Sequence, residues 1–411
     1  MRLNENVYFV KGFKNAAIYD LNEKKIYVVN EIAKKILEKY IENENSVFDE
    51  YGMEYIQKLK QLKLLTSKND FNYNRTLKEK PKSKLSYAWL EITDRCNLNC
   101  IHCYGEFGKP STKNEELLTT SEWKKIIDKL IELKCKDIQF IGGEPIVYND
   151  FFELVEYAHA KGMDRVDIFT NATLIDENNI LLLKKANCNI RVSVYGHNSE
   201  IHDKITQHKG SFEKTKNALL LLSKYKIPTK IAVVIMRENE DYIKNIKKFI
   251  ISTGHKYSGY DVIRPSCVNT ISTHTILNTE TLKSRYNMEP VFWTSKESFK
   301  ENFFYNSCWN GKIAITATGD IIPCIFARDE VVGNIRKNSF EQIEKKIINK
   351  WSITKDDIEV CKDCEFRYCC HDCRPIAKGI NGDTYSKYPR CCYDPYTGLW
   401  ENIEDITKEI K

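Results

Sequence analysis

Between Leu85 and about Ser252, short apolar runs alternate with longer stretches in which apolar residues recur every three or four positions. "LSYAWLEI", "DIQFIGG", "RVDIFTN", "IRVSVYG" and "KIAVVIM" have the length and β-branched content of strands. "SEWKKIIDKLIELK", "FFELVEYAHAKG", "NNILLLKKAN", "SFEKTKNALLLLSKYK" and "NEDYIKNIKKFIIST" carry the spacing of amphipathic helices. This rhythm predicts an α/β fold, with βα units sharing a parallel sheet that closes or nearly closes into a barrel over 85–287. Functional residues are then expected on the loops after the carboxyl ends of the strands. The first 66 residues predict a smaller unit. Its strands are "VYFVKG" and "AAIYDLNEKKIYVVN", the latter broken at "LNEKK". Two helices follow, "NEIAKKILEKYI" with Asn30 as N-cap, and "MEYIQKLKQLKLL". Residues 67–84 are polar and lysine-rich, as a linker is. After about residue 287 the rhythm stops, and 288–411 is expected to form a small separate fold.

Composition narrows the class. Of 411 residues, 42% are hydrophobic and 29% charged, as in soluble globular proteins. The net charge of +6 is dispersed over many lysines. With no basic cluster, nucleic acid is not an expected partner, whereas an acidic peptide is compatible. The N-terminus has no apolar signal region, and no run approaches membrane-spanning length, so a cytoplasmic protein without a membrane partner is expected. The chain has 15 cysteines, and in a reducing compartment clustered cysteines are ligands more often than disulfides. Cys135, Cys188, Cys267, Cys369 and Cys391 stand outside any motif and read as small buried residues or spare thiols.

Directly after the first barrel strand, "DRCNLNCIHCYGE" places Cys96, Cys100 and Cys103 in one compact loop. An ordinary iron–sulfur cubane takes four protein ligands; three leave one iron open to a small molecule. This C-x3-C-x2-C spacing, followed by Tyr104, resembles the radical S-adenosylmethionine (SAM) superfamily. Further matches fall in order at successive strand ends. "GGEP", Gly142, Gly143, Glu144 and Pro145, is similar to the family's motif for the SAM amino group. There the glycines would let backbone carbonyls approach the ammonium, and Glu144 would supply a counter-charge. Thr170 and Asn171 in "FTNATLI" resemble the segment near the ribose, although Asn171 also suits a left-handed turn position. Ser193 stands where the family contacts the methionine carboxylate. Val233 to Met236 in "VVIMREN", with Asn239 after them, match the adenine-packing region. The resemblance implies a partial (β/α)6 barrel. It also implies SAM as the fourth ligand of a [4Fe–4S] cluster held by Cys96, Cys100 and Cys103.

The last ~120 residues hold nine cysteines. Read alone, C-x2-C-x5-C-x2-C also suits a zinc ribbon. After such a barrel, the run from Cys308 to Cys392 resembles the SPASM domain, which implies two auxiliary [4Fe–4S] clusters and three in all. By the resemblance Cys308, Cys324 and Cys373 bind the nearer one, and Cys361, Cys364, Cys370 and Cys392 the distal one. Two residues separate Cys370 from Cys373 where the family commonly has three. The doublets Cys369–Cys370 and Cys391–Cys392 leave open which member is the ligand. No cysteine occurs in "ENFFYNS", so the nearer cluster is expected to keep an open iron for a substrate thiolate or Cys267. Arg264 at a strand end suits substrate contact and a structural salt bridge equally, and His102, His197, His202 and His371 offer no distinct general base.

The N-terminal pattern resembles the winged-helix-like leader-recognition element of ribosomal-peptide maturases, which take an extended peptide at a sheet edge. Together the resemblances imply a maturase that binds a precursor peptide by its leader and installs a thioether or carbon–carbon cross-link. Auxiliary clusters would accept an electron or hold a thiolate, and a flavodoxin- or ferredoxin-type donor would supply electrons. Two alternatives stand beside it: sulfatase-maturase-like oxidation of a protein Cys or Ser, and a non-catalytic iron–sulfur or zinc module.

Overall fold

The computed structural model describes the chain apart from residues 1, 44, 67–76, 78, 106, 108–115, 266–274, 287, 289–290 and 402–411. Most of the expected linker, and Cys267, lie outside the described residues.

The N-terminal strands are β1 (Arg2–Leu3), β2 (Val7–Lys11), β3 (Ala16–Asp20), β4 (Lys25–Val29) and β5 (Leu65–Thr66), with helices α1 (Glu31–Glu42) and α2 (Glu50–Gln61) between the last two. Strands β2, β3 and β4 form an antiparallel meander, and β1 pairs with β5. Asn30 starts α1 as expected, its side-chain oxygen accepting the Ala33 N–H at 2.9 Å. Asp49 caps α2 the same way through Gly52 N–H. One face of the meander, with Val7, Ala16 and Ile18, packs on Leu37, Ile56 and Leu59. The other, with Tyr8, Val10, Ala17 and Tyr19, packs on Phe299, Phe366, Tyr368 and Tyr393. Two apolar faces explain why β3 reads as an unbroken apolar run.

The barrel strands are β6 (Tyr87–Glu91), β7 (Asp137–Ile141), β8 (Arg165–Thr170), β9 (Asn189–Val194), β10 (Thr229–Ile235) and β11 (Asp261–Val262). All six are parallel and lie in chain order, the expected (β/α)6 arrangement. Helices α3 (Thr120–Glu132), α4 (Phe151–Ala160), α5 (Ile180–Lys185), α6 (Ser199–Thr206), α7 (Ser211–Lys224) and α8 (Ile243–Ser252) make the crossovers. Helix α3 starts with a full capping box between Thr119 and Glu122 and buries Trp123, Ile126, Ile127 and Leu130.

After α9 (Thr279–Ser284) and α10 (Lys296–Phe304) comes β12 (Lys312–Ile315), which pairs in parallel with the free edge of β6. Strands β13 (Asp320–Ile322) and β14 (Gly333–Asn334) continue that sheet antiparallel. Helices α11 (Phe340–Trp351) and α12 (Arg374–Asn381) and the β15–β16 pair (Tyr393–Asp394, Leu399–Trp400) complete the chain.

By compactness the chain divides differently from the sequence boundaries. One unit gathers 1–82, 279–310 and 351–411; the other holds 83–278 and 311–350. The expected C-terminal domain is thus split, because β12 to β14 extend the barrel sheet while the later cysteine loops pack with the N-terminal meander. Among the described residues no helix is long and apolar enough to cross a membrane.

Candidate active site

The loop after β6 is anchored from both sides. Asn99 N–H bonds Thr206 O at 3.1 Å and Ile101 N–H bonds Ile205 O at 3.0 Å, which ties the loop to the end of α6. Asp203 steadies that helix end by accepting from Gly210 N–H, Ser211 Oγ and Phe212 N–H at the start of α7. Cys96, Cys100 and Cys103 lie within electrostatic reach of one another. Burial pushes the Cys96 thiol up to about 12 and the Cys100 thiol well above its ordinary range. Loading a cluster here must therefore release protons.

The two glycines of the GGEP turn are required by the backbone that approaches them. Gly143 N–H bonds Thr93 O and Glu144 N–H bonds Arg95 O, both at 2.9 Å, so the turn runs alongside the strand leading into Cys96. Gly142 has φ +154, and a Cβ on it would lie 2.4 Å from Thr93 O. A Cβ on Gly143 would lie 2.2 Å from Arg95 O and 2.9 Å from the Cys96 Cβ. Only glycines let this turn press against the cysteine loop.

Glu144, the expected counter-charge, comes next in the turn. It is fully buried, and both oxygens are engaged. Oε1 accepts from Thr170 Oγ1 at 2.7 Å and from Ile146 N–H, and Oε2 accepts from Asn171 N–H at 2.8 Å. Burial raises its carboxyl to about 7. Pro145 opens the short turn that follows. Asn171 Nδ2 donates to Asn97 Oδ1 at 3.0 Å and points toward Cys96 Sγ, and Asn97 Nδ2 donates to Thr173 Oγ1. The GGEP turn, the Thr170–Thr173 segment and the cysteine loop thus form one hydrogen-bonded frame. The left-handed residue in it is Ala172 (φ 62), not Asn171.

Ser193 is buried and hydrogen-bonds the Tyr195 side chain. Within the Val233–Met236 stretch, neighbouring side chains face opposite sides of β10. In β10 the side chains of Ile231, Val233 and Ile235 are buried on one face, while Val234 packs with Tyr195, Met236, Cys100 and Ile101. The apolar wall beside the cysteine loop is therefore Val234 with Met236. Asn239 is spent on the backbone, since Nδ2 donates to Tyr195 O and Val234 O at 2.9 Å and Oδ1 accepts from Met236 N–H. It pins the ends of β9 and β10 together and has no donor left for a cofactor.

Two further groups had no signal in the sequence. Glu91, at the end of β6, is buried and holds Arg328 bidentately at 2.8 and 3.1 Å. Arg328 also lies over the rings of Tyr104 and Phe107, and Tyr104 reaches electrostatically to both Cys103 and Cys324. A pair 237 positions apart leaves no local pattern to read. Arg264 pairs with Asp261 and stacks on Phe326.

In the other unit, Cys361, Cys364, Cys370 and Cys391 face one another electrostatically. Cys392 points elsewhere, its thiol donating to Lys283 O at 3.5 Å. Cys369 bonds Val291 O and Phe366 O at 3.2 Å and belongs to the apolar cluster around Tyr19. Each doublet thus turns one thiol to the cysteine group and the other away. Just before Cys361, Val360 has φ +65 and ψ −41, with Cys361 N–H bonded to Glu359 O at 2.7 Å. This is a γ-turn of the strained hand, rare for a β-branched residue. Cys308 N–H bonds Asn306 Oδ1, Cys373 precedes α12, and Cys324 is buried after β13. Among the described residues no three His, Cys, Asp or Glu side chains are arranged to hold a single metal ion.

The parallel (β/α)6 sheet with three cysteines in the loop after its first strand fits an iron–sulfur enzyme class, and sequence comparison gives the family. Residues 90–250 match the radical SAM superfamily, and residues 308–365 match SPASM, an iron–sulfur cluster-binding domain. The chain belongs to the radical SAM enzymes that carry a SPASM domain, a group that includes peptide maturases. It is 26% identical over 341 residues to the AdoMet-dependent heme synthase of Methanosarcina barkeri, covering 75% of this chain and 96% of that protein. It is 28% identical over 341 residues to the subtilosin biosynthesis protein AlbA of Bacillus subtilis, covering 79% and 73%. Among solved structures, anSMEcpe with bound AdoMet superposes with a TM-score of 0.59 at 17% identity, over 78% of this chain and 96% of that one. Streptococcus suis SuiB bound to precursor peptide SuiA superposes with a TM-score of 0.55 at 14% identity, over 95% and 98%. These structural likenesses concern the fold.

Proposed function

We propose that this enzyme modifies a ribosomally made precursor peptide, held by its leader on the N-terminal meander, by forming a thioether or carbon–carbon cross-link within the core. When bound, the cluster and SAM would supply the one-electron chemistry that removes a hydrogen atom from the substrate. The chain's own residues bind and orient. Cys96, Cys100 and Cys103 would hold the iron. The frame of Gly142–Pro145 with Thr170 and Asn171, and Ser193 beyond it, fix the pocket edge, while Val234 and Met236 exclude water. Cys391, with Cys361, Cys364 and Cys370, is the favoured set for the distal cluster, because Cys392 is turned to Lys283 O. A flavodoxin- or ferredoxin-type protein is the proposed electron donor.

The observation that carries the peptide reading is the open edge of β4. Among the described residues only Ile26 N–H is taken there, by Phe292 O, and Val28 and Ile32 beside it are exposed apolar residues. An extended leader gains main-chain hydrogen bonds on such an edge and buries alternate side chains against that strip. The likeness in fold to SuiB spans 95% of this chain, which takes in this N-terminal part.

The test is anaerobic reconstitution with measurement of iron, sulfide, zinc and SAM cleavage. The protein is then incubated with candidate cysteine-containing precursor peptides, with and without their leaders. Leader-dependent loss of two hydrogens by mass spectrometry, abolished by Val28→Asp with SAM cleavage intact, is expected. Turnover of leaderless peptide would favour a sulfatase-maturase-like oxidation. Loss of one cluster's iron in Cys392→Ala rather than Cys391→Ala would overturn the ligand choice.

A further inference from the structure

The loop bearing the distal cysteines is built around three buried ionic side chains. Lys355 and Arg374 both bond one oxygen, Oδ2 of Asp372. Arg374 also donates from one guanidinium nitrogen to Thr384 O at 2.8 Å and Ser386 O at 2.9 Å. All three side chains are almost wholly removed from solvent, 7% exposed for Lys355 and 0% for Asp372 and Arg374. Among the described residues the second carboxylate oxygen, Oδ1, and Arg374 Nε have no hydrogen-bond partner. Two cations therefore share one anion in the interior.

An uncompensated buried charge costs several kcal/mol, so this excess of positive charge requires a further anion. The neighbouring acids give none: Asp356 is engaged by Tyr368 Oη, and Asp357 by Thr354. The remaining groups facing Lys355 are the thiols of Cys361 and Cys370. Asp372 itself sits between Cys370 and Cys373 in the chain. As thiols these are neutral. As ligands of a cubane, four thiolates outweigh the positive charge of the iron–sulfur core, and the ligated group is an anion in either redox state.

We propose that Lys355 is the counter-cation of the distal cluster, anchored by Asp372 and Arg374, and that it raises that cluster's reduction potential. The inference rests on reading Cys361, Cys364, Cys370 and Cys391 as cluster ligands. Adding an electron makes the anion more negative, so a fixed cation stabilises the reduced form more than the oxidised one. Local charge and burial are recognised levers on such potentials.

The test uses the full chain, reconstituted anaerobically, with Lys355→Met and Lys355→Arg. Iron per chain is measured first. The midpoint of the cluster signal that Cys391→Ala removes is then found by dithionite titration with paramagnetic resonance detection. Lys355→Met should lower the reduced-to-oxidised ratio at a given potential about tenfold, a downward shift of about 59 mV for one electron. Lys355→Arg should restore it. An unchanged midpoint in a fully loaded Lys355→Met protein overturns the proposal. If Lys355→Met fails to hold the distal iron, recovery of that iron in Lys355→Arg supports the counter-cation, and failure in both overturns it. Zinc in the wild-type tail, or iron for a single cluster, would instead overturn the cluster reading before any substitution is considered.

Discussion

The ion pair of Glu91 with Arg328 offers a direct test of how the barrel holds its cysteine-bearing segments. Arg328→Met keeps the length and apolar stem of the side chain and removes the charge. Glu91 is buried and its two bonds to the guanidinium are 2.8 and 3.1 Å, so the substitution strands a carboxylate in the interior. Breaking one partner of a buried pair costs about 3–5 kcal/mol, whereas replacing both by apolar groups is often neutral. Arg328→Met should therefore destabilise by about 4 kcal/mol, and adding Glu91→Leu should return most of the loss. For a unit of this size, 1 kcal/mol moves Tm by about 2–4 °C, so the single substitution should lower it by roughly 10 °C. Urea unfolding of the cluster-free chain, followed by tryptophan fluorescence, measures both. As a reference, Lys185→Ala removes a pair whose side chains are 74% and 57% exposed and should cost under about 1 kcal/mol. The reasoning fails if Arg328→Met also costs under about 1 kcal/mol, or if the two barrel substitutions are additive. The pair matters for the site because it ties the end of the first strand, just before the cysteine loop, to the segment just after Cys324.

Three more outcomes are expected. Ala172→Gly relieves a left-handed backbone position whose cost for alanine is about 1–2 kcal/mol, and after the entropic penalty of glycine it should stabilise by about 0.5–1 kcal/mol in the same urea assay; a loss of stability would contradict the strain argument. Burial lowers His102 and His202 to about 4 from an unfolded value near 6.5. Their neutral forms thus stabilise the fold fully above 6.5, and about 3 kcal/mol per histidine disappears as the pH falls toward 4. His202→Gln should flatten that decline, and an equal acid loss in the variant would show that other groups cause it. Asn239→Ala leaves Tyr195 O, Val234 O and Met236 N–H unpaired in the interior, which should cost about 2–4 kcal/mol and weaken SAM binding by calorimetry; unaltered stability would remove its role in joining two strand ends.

Local patterns carried much of the fold. Asn30 before an amphipathic run, Thr119 three residues ahead of Glu122, and the alternation of short and long apolar segments each state their outcome within a few residues of chain. The site was legible in position and less so in purpose. Gly142 and Gly143 were recognisable as necessary, but the pressure on them comes from Thr93 O and Arg95 O, which approach from another strand end. Val233 and Val234 look alike in sequence, and only the parity of the strand decides which one meets the cysteine loop. The doublets at 369–370 and 391–392 could not be resolved because the choice depends on distant partners, Val291 O for one thiol and Lys283 O for another. The split of the C-terminal region was equally hidden, since it follows from hydrogen bonds between β12 and a strand more than two hundred residues earlier.

The hairpin between β2 and β3 has a consequence for how the chain is made. Phe13 N–H bonds Asp363 O, Lys14 N–H bonds Pro395 O, and Tyr19 Oη donates to Glu365 O across 346 positions. At about 5–20 residues per second, a ribosome needs roughly 20–70 s after finishing the meander to deliver those partners. For most of that interval Tyr8, Val10 and Tyr19 present an apolar face that lacks Phe366, Tyr368 and Tyr393, while the barrel between the two chain ends has time to form. The first strands synthesised are thus among the last to reach their final surroundings. Yield in a heterologous host should accordingly respond to chaperone supply and slow growth more than to any property of the finished barrel.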